Sequence, residues 1–154
     1  MQLGAHDMLN TAALDIRAAV SDVRVASEWM AGFAAAQNVP PEQINRLDLC
    51  LNEALANVIS YGNEAALTQP VLLRMHVRCE HGACEAAVTV SDAGMAFDMA
   101  HAPIAERPHS LAEAEPGGLG LLMIRSFSDA LTYQRSNSRN ELTFCVRWNG
   151  QAAA

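Results

Sequence analysis

Three short segments of the chain carry residue types that could bind and use a phosphorylated ligand. The first contains a glutamate and an asparagine four residues apart, Glu53 and Asn57, with Tyr61 after another four. This spacing places the three side chains along one face of a helix. The glutamate could act as a general base, and an asparagine amide oxygen is a suitable hard ligand for Mg²⁺. Alone, the pair is also typical of an ordinary solvated helix face.

The second segment is an Asp-x-Gly sequence, Asp92-Ala93-Gly94, at the end of a predicted strand. A carboxylate there can accept a hydrogen bond from an exocyclic amine such as that of adenine. A glycine lacks Cβ and lets a flat ring approach the backbone. An ordinary turn after a strand has the same sequence features, so the segment alone does not identify a base-binding site.

The third segment is a run of glycines before an apolar stretch, Gly117-Gly118-Leu119-Gly120. Glycines at the start of a helix leave backbone N–H groups open to phosphate oxygens, and the helix dipole favours an anion there. The run is not a P-loop, because Gly-Lys-Ser/Thr is absent, and the GxGxxG dinucleotide spacing fails at Met123. A glycine-rich hinge is the alternative interpretation.

Apolar periodicity predicts two helices ahead of the Asp-x-Gly segment. A short first strand is indicated by the alternation of Leu14, Ile16 and Ala18. Ser21 is a candidate N-cap for a helix that runs to about Gln37. The residues expected on its inward face, at i, i+4 and i+8, are Val25, Trp29 and Phe33.

The second helix carries the Glu53 and Asn57 pair. It is predicted to start at Pro40-Pro41, where proline is tolerated, and to stop at Gly62. Its apolar stripe adjoins the polar one, so the pair could face a cleft. The stripe consists of Ile44, Leu47, Leu51, Ala54, Leu55 and Val58.

The rest of the chain predicts strands, one further helix and a long loop. The loop, residues 99–116, has no convincing period, and loops of this length are usually functional, so a lid is expected there. A short helix runs from the glycine segment to about Phe127. The result is an α+β fold with helices on one face of a mostly antiparallel sheet. The strands are Val71–Cys79, Cys84–Ser91, Ala130–Arg135 and Glu141–Trp148.

Composition limits the function classes. With 154 residues, 51% of them apolar, and a formal charge of −7, we expect one domain over residues 1–154 that binds neither nucleic acid nor membrane. The N-terminus lacks the features of a secretory signal, which predicts a cytoplasmic protein with four reduced cysteines. Cys79 and Cys84 are interpreted as incidental to a hairpin turn at His81-Gly82 and not as half of a metal site.

In order, the three segments supply a metal ligand, an acceptor for the adenine amine and a phosphate cradle. They resemble the N, G1 and G2 boxes of the GHKL ATPase superfamily, which includes gyrase, Hsp90, histidine kinases and mismatch-repair ATPases. The compact length and the sequence from Asp129 to Tyr133 are most similar to the bacterial anti-sigma factor serine-protein kinases. The resemblance covers residues 14–148 and implies the two-layer Bergerat ATP-binding fold, with a mixed, mostly antiparallel sheet.

The resemblance also implies roles for single residues. Glu53 would be the base for the attacking hydroxyl, and Asn57 would hold Mg²⁺. Asp92 would bind the adenine amino group, Gly94 would admit the ring, and Thr143 would lie beside it. The phosphates would meet Gly118, Leu119 and Gly120, and Arg24 would contact a protein partner.

Two functions remain open at this point. In the first, the chain is an ATP-dependent serine/threonine kinase that phosphorylates a STAS-type anti-sigma-factor antagonist and so controls a sigma factor. In the second, the chain is a non-catalytic binding module: ATP or ADP orders residues 99–116, and the ordered form binds a partner protein without phosphorylating it. An intact Glu53 favours the kinase. The absence of lysine favours the binding module, because only an arginine, for which Arg107 and Arg125 are candidates, or the backbone could then neutralise the γ-phosphate. Relatives of this type are commonly homodimers.

Overall fold

A computed structural model describes residues 8–98 and 118–150 of the chain. Five strands form one sheet in the order β1-β2-β3-β5-β4, and all four pairings are antiparallel. The predicted α+β class is confirmed. The elements are β1 (Met8–Ile16), α1 (Val20–Ala36), α2 (Pro41–Tyr61), α3 (Glu64–Thr68), β2 (Val71–Glu80), β3 (Ala83–Asp92), α4 (Gly118–Phe127), β4 (Ala130–Ser136) and β5 (Arg139–Asn149).

Strand alternation divides the sheet into an apolar face and a polar face. Val90 of β3 lies between Leu73 of β2 and Leu142 of β5, and all three belong to the buried core. The helices pack on this face. The opposite face carries threonine, arginine and glutamate side chains, such as the Thr89–Thr143 hydroxyl pair at 2.7 Å. Burial of one face by helices gives the two-layer sandwich.

The start and inner face of α1 differ from the prediction. Its N-cap is Ala19 without a side-chain cap, and Ser21 lies within the first turn. The path of the chain into α1 is instead fixed by Asp22, which accepts hydrogen bonds from the backbone N–H and the guanidinium of Arg17 at 2.8 and 3.0 Å. The fully buried stripe is one position later than predicted, because small alanines let the helix approach the sheet closely. It consists of Ala26, Met30 and Ala34, whereas Val25 is exposed and Trp29 and Phe33 are partly buried.

The prediction for α2 is confirmed at both ends and along its core face. Proline stands at the first helical position and Gly62 at the C-cap. A Cβ on Gly62 would lie 2.3 Å from the carbonyl oxygen of Val58, so the chain can leave the helix this tightly only at a glycine. Of the predicted stripe only Ile44 is not fully buried. The buried residues are Leu47, Cys50, Leu51, Ala54, Leu55 and Val58.

A short helix that was not predicted, α3, follows directly. Asn63 caps it by accepting a hydrogen bond from the backbone N–H of Ala66 at 3.1 Å. No helix in the described ranges is long and apolar enough to cross a membrane. The predicted strands after α3 are all present, each within two residues of its expected bounds.

The expectation of four reduced cysteines is wrong for one pair. The predicted hairpin turn is present, with positive φ at His81 and Gly82. It places Cys79 and Cys84 opposite each other in the β2–β3 register, and a disulfide joins them. Cys50 and Cys145 are free and buried. Burial raises the pKa of the Cys50 thiol to about 12, which keeps it protonated and unreactive.

Reduction of this disulfide is expected to destabilise the fold only modestly. The bridged residues are five positions apart, so the closed loop is short and the entropic stabilisation is at most about 2 kcal/mol. Thermal melting with and without reductant measures the difference. A Cys79→Ala/Cys84→Ala variant should be insensitive to reductant. Alkylation of all four cysteines in unfolded, unreduced protein would contradict the bridge.

Candidate functional site

The Asp-x-Gly segment ends β3 and is held by a hydrogen-bonded network. Asp92 Oδ1 accepts hydrogen bonds from the backbone N–H of Gly94 at 2.8 Å and from Asn140 Nδ2 at 3.1 Å. Among the described residues, Asp92 Oδ2 accepts no hydrogen bond. One carboxylate oxygen is therefore fixed by the protein, and the other has no partner in the described ranges.

Asn140 is the centre of this network and is buried, with 7% of its surface exposed. Its Oδ1 accepts hydrogen bonds from the Tyr133 hydroxyl at 2.6 Å, the Arg135 guanidinium at 3.1 Å and the Phe97 backbone N–H at 3.1 Å. Its Nδ2 also donates to the Met95 carbonyl at 2.7 Å. Asn140 thus ties the loop after β3 to β4 and β5, and sequence analysis missed it.

Gly94 is required by the close packing around it. A Cβ there would lie 2.8 Å from Asp92 Oδ1 and 3.1 Å from the Cβ of Ala66 in α3. Asn63, which caps α3, lies 3.6 Å from the same point. Because α3 follows α2 after a single turn, this packing brings the loop after β3 to the C-terminal end of α2.

Glu53 and Asn57 lie in the C-terminal half of α2. Both are half-buried, and neither side chain makes a hydrogen bond or ion pair with the residues that the structure describes. The contrast is with Asp48 and Asn52, a pair of the same spacing on the same helix, whose side chains hydrogen-bond at 3.1 Å. Glu53 and Asn57 are therefore the polar pair of α2 that is left available for a ligand.

Two contacts define how α4 lies against α2. Cys50 Sγ lies 3.8 Å from the carbonyl oxygen of Ile124, and Arg46 pairs at 3.1 Å with Asp129, just beyond the end of α4. The helices are thus antiparallel. Continued at 1.5 Å per residue, this register brings residues 118–120 alongside residues 53–57. The N-terminus of α4, which suits an anion, therefore lies beside the part of α2 that carries Glu53 and Asn57.

The candidate site therefore consists of a hydrogen-bond acceptor at the end of β3, an amide and a carboxylate on α2, and the N-terminus of α4. The family profile of the histidine kinase-like ATPase domain matches residues 16–146. This chain belongs to that family.

Two known proteins are similar to this ATPase-family chain. The serine/threonine-protein kinase BtrW of Bordetella bronchiseptica is 36% identical over 97 residues, which cover 63% of this chain and 66% of that protein. The match spans just under two thirds of that relative's length. The solved RsbU and RsbW domains of Rv1364c from Mycobacterium tuberculosis have a TM-score of 0.59 with 9% identity, covering 94% of this chain and 34% of that chain. The second likeness concerns the fold alone.

The structure separates Thr143 from the other predicted site residues of this ATPase domain. Asp92 pairs in register with Asn140, three residues before Thr143 on β5, and successive side chains of a strand alternate between faces. Thr143 therefore lies on the polar outer face, where it bonds to Thr89. On that face Thr143 does not contact Asp92, and the β5 side chain that does is Asn140.

Other predicted residues lie elsewhere. Arg24 is exposed on α1 and pairs with Glu28 at 2.9 Å, away from the Asp92 network. Gly118, Leu119 and Gly120 form the first turn of α4, as predicted. The expected lid, residues 99–116, and Arg107 within it lie outside the described residues.

Proposed function

We propose that this ATPase domain binds Mg·ATP between α2, α4 and the loop after β3, and transfers the γ-phosphoryl group to a protein hydroxyl. The acceptor would be a serine or threonine of a small STAS-type antagonist of an anti-sigma factor, and ADP would be the other product. The observation that carries the proposal is that Asp92 Oδ2, Glu53 and Asn57 have no hydrogen-bond partner among the residues that the structure describes. Similarity to a protein named as a serine/threonine kinase supports the reaction class.

The described residues fit the nucleotide and its metal. Asp92 Oδ2 would accept from the adenine amino group. At Gly94 a Cβ would collide with Asp92 Oδ1 and with Ala66, so a larger residue there would disturb the loop that holds Asp92. The described residues contain no group of three or more histidine, cysteine, aspartate or glutamate side chains suited to a metal. That agrees with Mg²⁺, which is usually held by one or two protein oxygens together with substrate phosphates, here through Asn57.

Glu53 would act on the attacking hydroxyl of the partner. The hydroxyl oxygen forms a bond to the γ-phosphorus, the bond from that phosphorus to the β,γ-bridging oxygen breaks, and ADP takes the electron pair. The hydroxyl proton passes to the Glu53 carboxylate. Bound Mg²⁺ would screen the phosphate charge, and the N-terminus of α4 would orient the phosphates. Positioning supplies most of the catalysis in such a reaction.

The partner surface is proposed on α1. Arg24 is flanked by Val20, which is 77% exposed, and by Val25, which is 49% exposed. Apolar side chains around an arginine are typical of the centre of a protein interface. We assign this face to the antagonist or the sigma factor, and propose a homodimeric, cytoplasmic protein.

A nucleotide-gated binding module is the second candidate function. The observation that favours it is the lack of any lysine, which leaves an arginine or the backbone to neutralise the γ-phosphate. In this case ATP would change partner affinity without any transfer.

Incubation with Mg·ATP and a candidate antagonist distinguishes the kinase from the binding module. The kinase predicts that the antagonist gains the mass of one phosphoryl group and that this product requires Mg²⁺. The binding module predicts an unchanged mass together with nucleotide-dependent co-elution of the two proteins. Absence of both ATP binding and transfer would contradict both functions.

A further inference from the structure

An ion pair joins α2 to the turn that follows α4. Arg46 on α2 donates to both carboxylate oxygens of Asp129, to Oδ1 at 3.1 Å and to Oδ2 at 3.2 Å. Both side chains are partly buried, with 27% and 35% of their surfaces exposed. A bidentate pair of this kind fixes an orientation as well as a distance, because the guanidinium and the carboxylate are both planar.

Asp129 is also anchored to the sheet. Its Oδ2 accepts the backbone N–H of Arg147 at 2.7 Å, and its own N–H donates to the carbonyl of Cys145 at 2.8 Å, both on β5. Arg46 is held from its own helix by Gln43 at 2.7 Å. The hydrogen bonds from Arg46 keep the pKa of the Asp129 carboxyl below its usual range, so the pair stays ionised near neutral pH. The pair therefore connects α2, the end of α4 and β5.

The position of this pair matters for the opposite end of α4. The helix has ten residues, which is about 15 Å, and behaves as a stiff rod over that length. A small rotation at Asp129 therefore displaces Gly118–Gly120 relative to Asn57. Both must reach the same triphosphate, one through backbone N–H groups and the other through Mg²⁺. Errors of about 1 Å in such an arrangement cost up to 10²-fold in function.

We propose that Arg46 and Asp129 are positioning residues that set the register of α4 on α2, and so hold the phosphate-binding turn at the distance from Asn57 that Mg·ATP requires. This rests on the proposed binding of Mg·ATP. The pair touches no part of the nucleotide, and its effect is confined to the phosphates and the metal. The adenine end, which Asp92 would bind, is held by the separate Asn140 network.

The test compares a ligand without phosphates with the complete one. Calorimetry gives the affinity for adenosine and for Mg·ATP in wild type, Arg46→Met, Asp129→Asn and Arg46→Lys. We expect adenosine affinity within about twofold of wild type in all three variants. Mg·ATP affinity should fall about 10- to 100-fold in the first two variants. Arg46→Lys keeps the positive charge but cannot donate two parallel hydrogen bonds to the carboxylate, so its Mg·ATP affinity should fall less than that of Arg46→Met.

Arg17→Met is the matched control. It breaks another arginine–aspartate pair, with Asp22 at 3.0 Å, at the entry to α1. This control should bind both ligands as wild type does. Arg46→Met leaves the bonds from Asp129 to β5 in place, so the test stands even if Asp129→Asn does not fold.

Three outcomes would overturn the inference. The first is wild-type affinity for Mg·ATP in Arg46→Met, which would make the pair dispensable. The second is an equal loss of adenosine and Mg·ATP affinity, which would mean general destabilisation. The third is a wild-type protein that binds no Mg·ATP, and this result alone would also remove the proposed function.

Discussion

Replacing Glu53 with glutamine is expected to slow phosphoryl transfer by about 10²–10⁴-fold, the usual effect of losing a positioned base. Affinity for Mg·ATP should stay within about threefold of wild type, because Glu53 would meet the partner hydroxyl and not the nucleotide. Glutamine keeps the size and polarity of a side chain that makes no hydrogen bond or ion pair with the described residues, so the fold should be unaffected. Intact-mass time courses give the rate, and calorimetry gives the affinity.

Asn57→Ala is the comparison for this experiment. Asn57 lies one helical turn further along α2 and would hold the metal, so its loss should weaken Mg·ATP binding and transfer together. If Glu53→Gln weakens binding as much as Asn57→Ala does, Glu53 belongs to the nucleotide site. If its transfer rate equals that of wild type, no base is needed, as a loose phosphoryl-transfer transition state allows.

Elements whose structure is decided by local residue patterns could be predicted from the sequence. The core stripe of α2 could be predicted because each buried position repeats at helical spacing and the ends carry proline and Gly62. For α1 two neighbouring stripes were possible, and the larger side chains suggested the wrong one. Buried Ala26 and Ala34 show that close approach to the sheet, a tertiary effect, chose the other stripe. The five-residue helix α3 is too short to leave a periodic signal.

Contacts between distant parts of the chain could not be predicted in the same way. The three candidate segments are each continuous in sequence, so local pattern alone could single them out. Asn140 lies 48 residues from Asp92, and only the β3–β5 register shows that the two meet. Asn140 and Thr143 are three residues apart on β5 and therefore lie on opposite faces of the sheet, which only the register reveals. The bridge between Cys79 and Cys84 also follows from register and not from composition.

The contact between Asn140 and Asp92 leads to a second prediction, which concerns selectivity for the nucleobase. Wild type should bind ATP about 10- to 100-fold more tightly than ITP, because ITP presents a carbonyl where ATP presents the amino group that Asp92 Oδ2 would accept. In Asp92→Asn the new amide must turn its oxygen toward the Gly94 N–H and Asn140 Nδ2, since both are donors. Its NH₂ group then occupies the place of Oδ2.

A donor at that place suits a carbonyl and opposes an amino group. Asp92→Asn should therefore reverse the preference, so that ITP binds more tightly than ATP, as competition calorimetry with the two nucleotides would show. Thr143→Ala, on the outer face of the same strand pair, should keep the wild-type preference. In Asp92→Asn/Asn140→Ala one of the two donors that orient the amide is lost, so the reversal should weaken. Equal binding of ATP and ITP by wild type would place the base away from Asp92, and a variant that still prefers ATP would show that Asn140 does not orient residue 92.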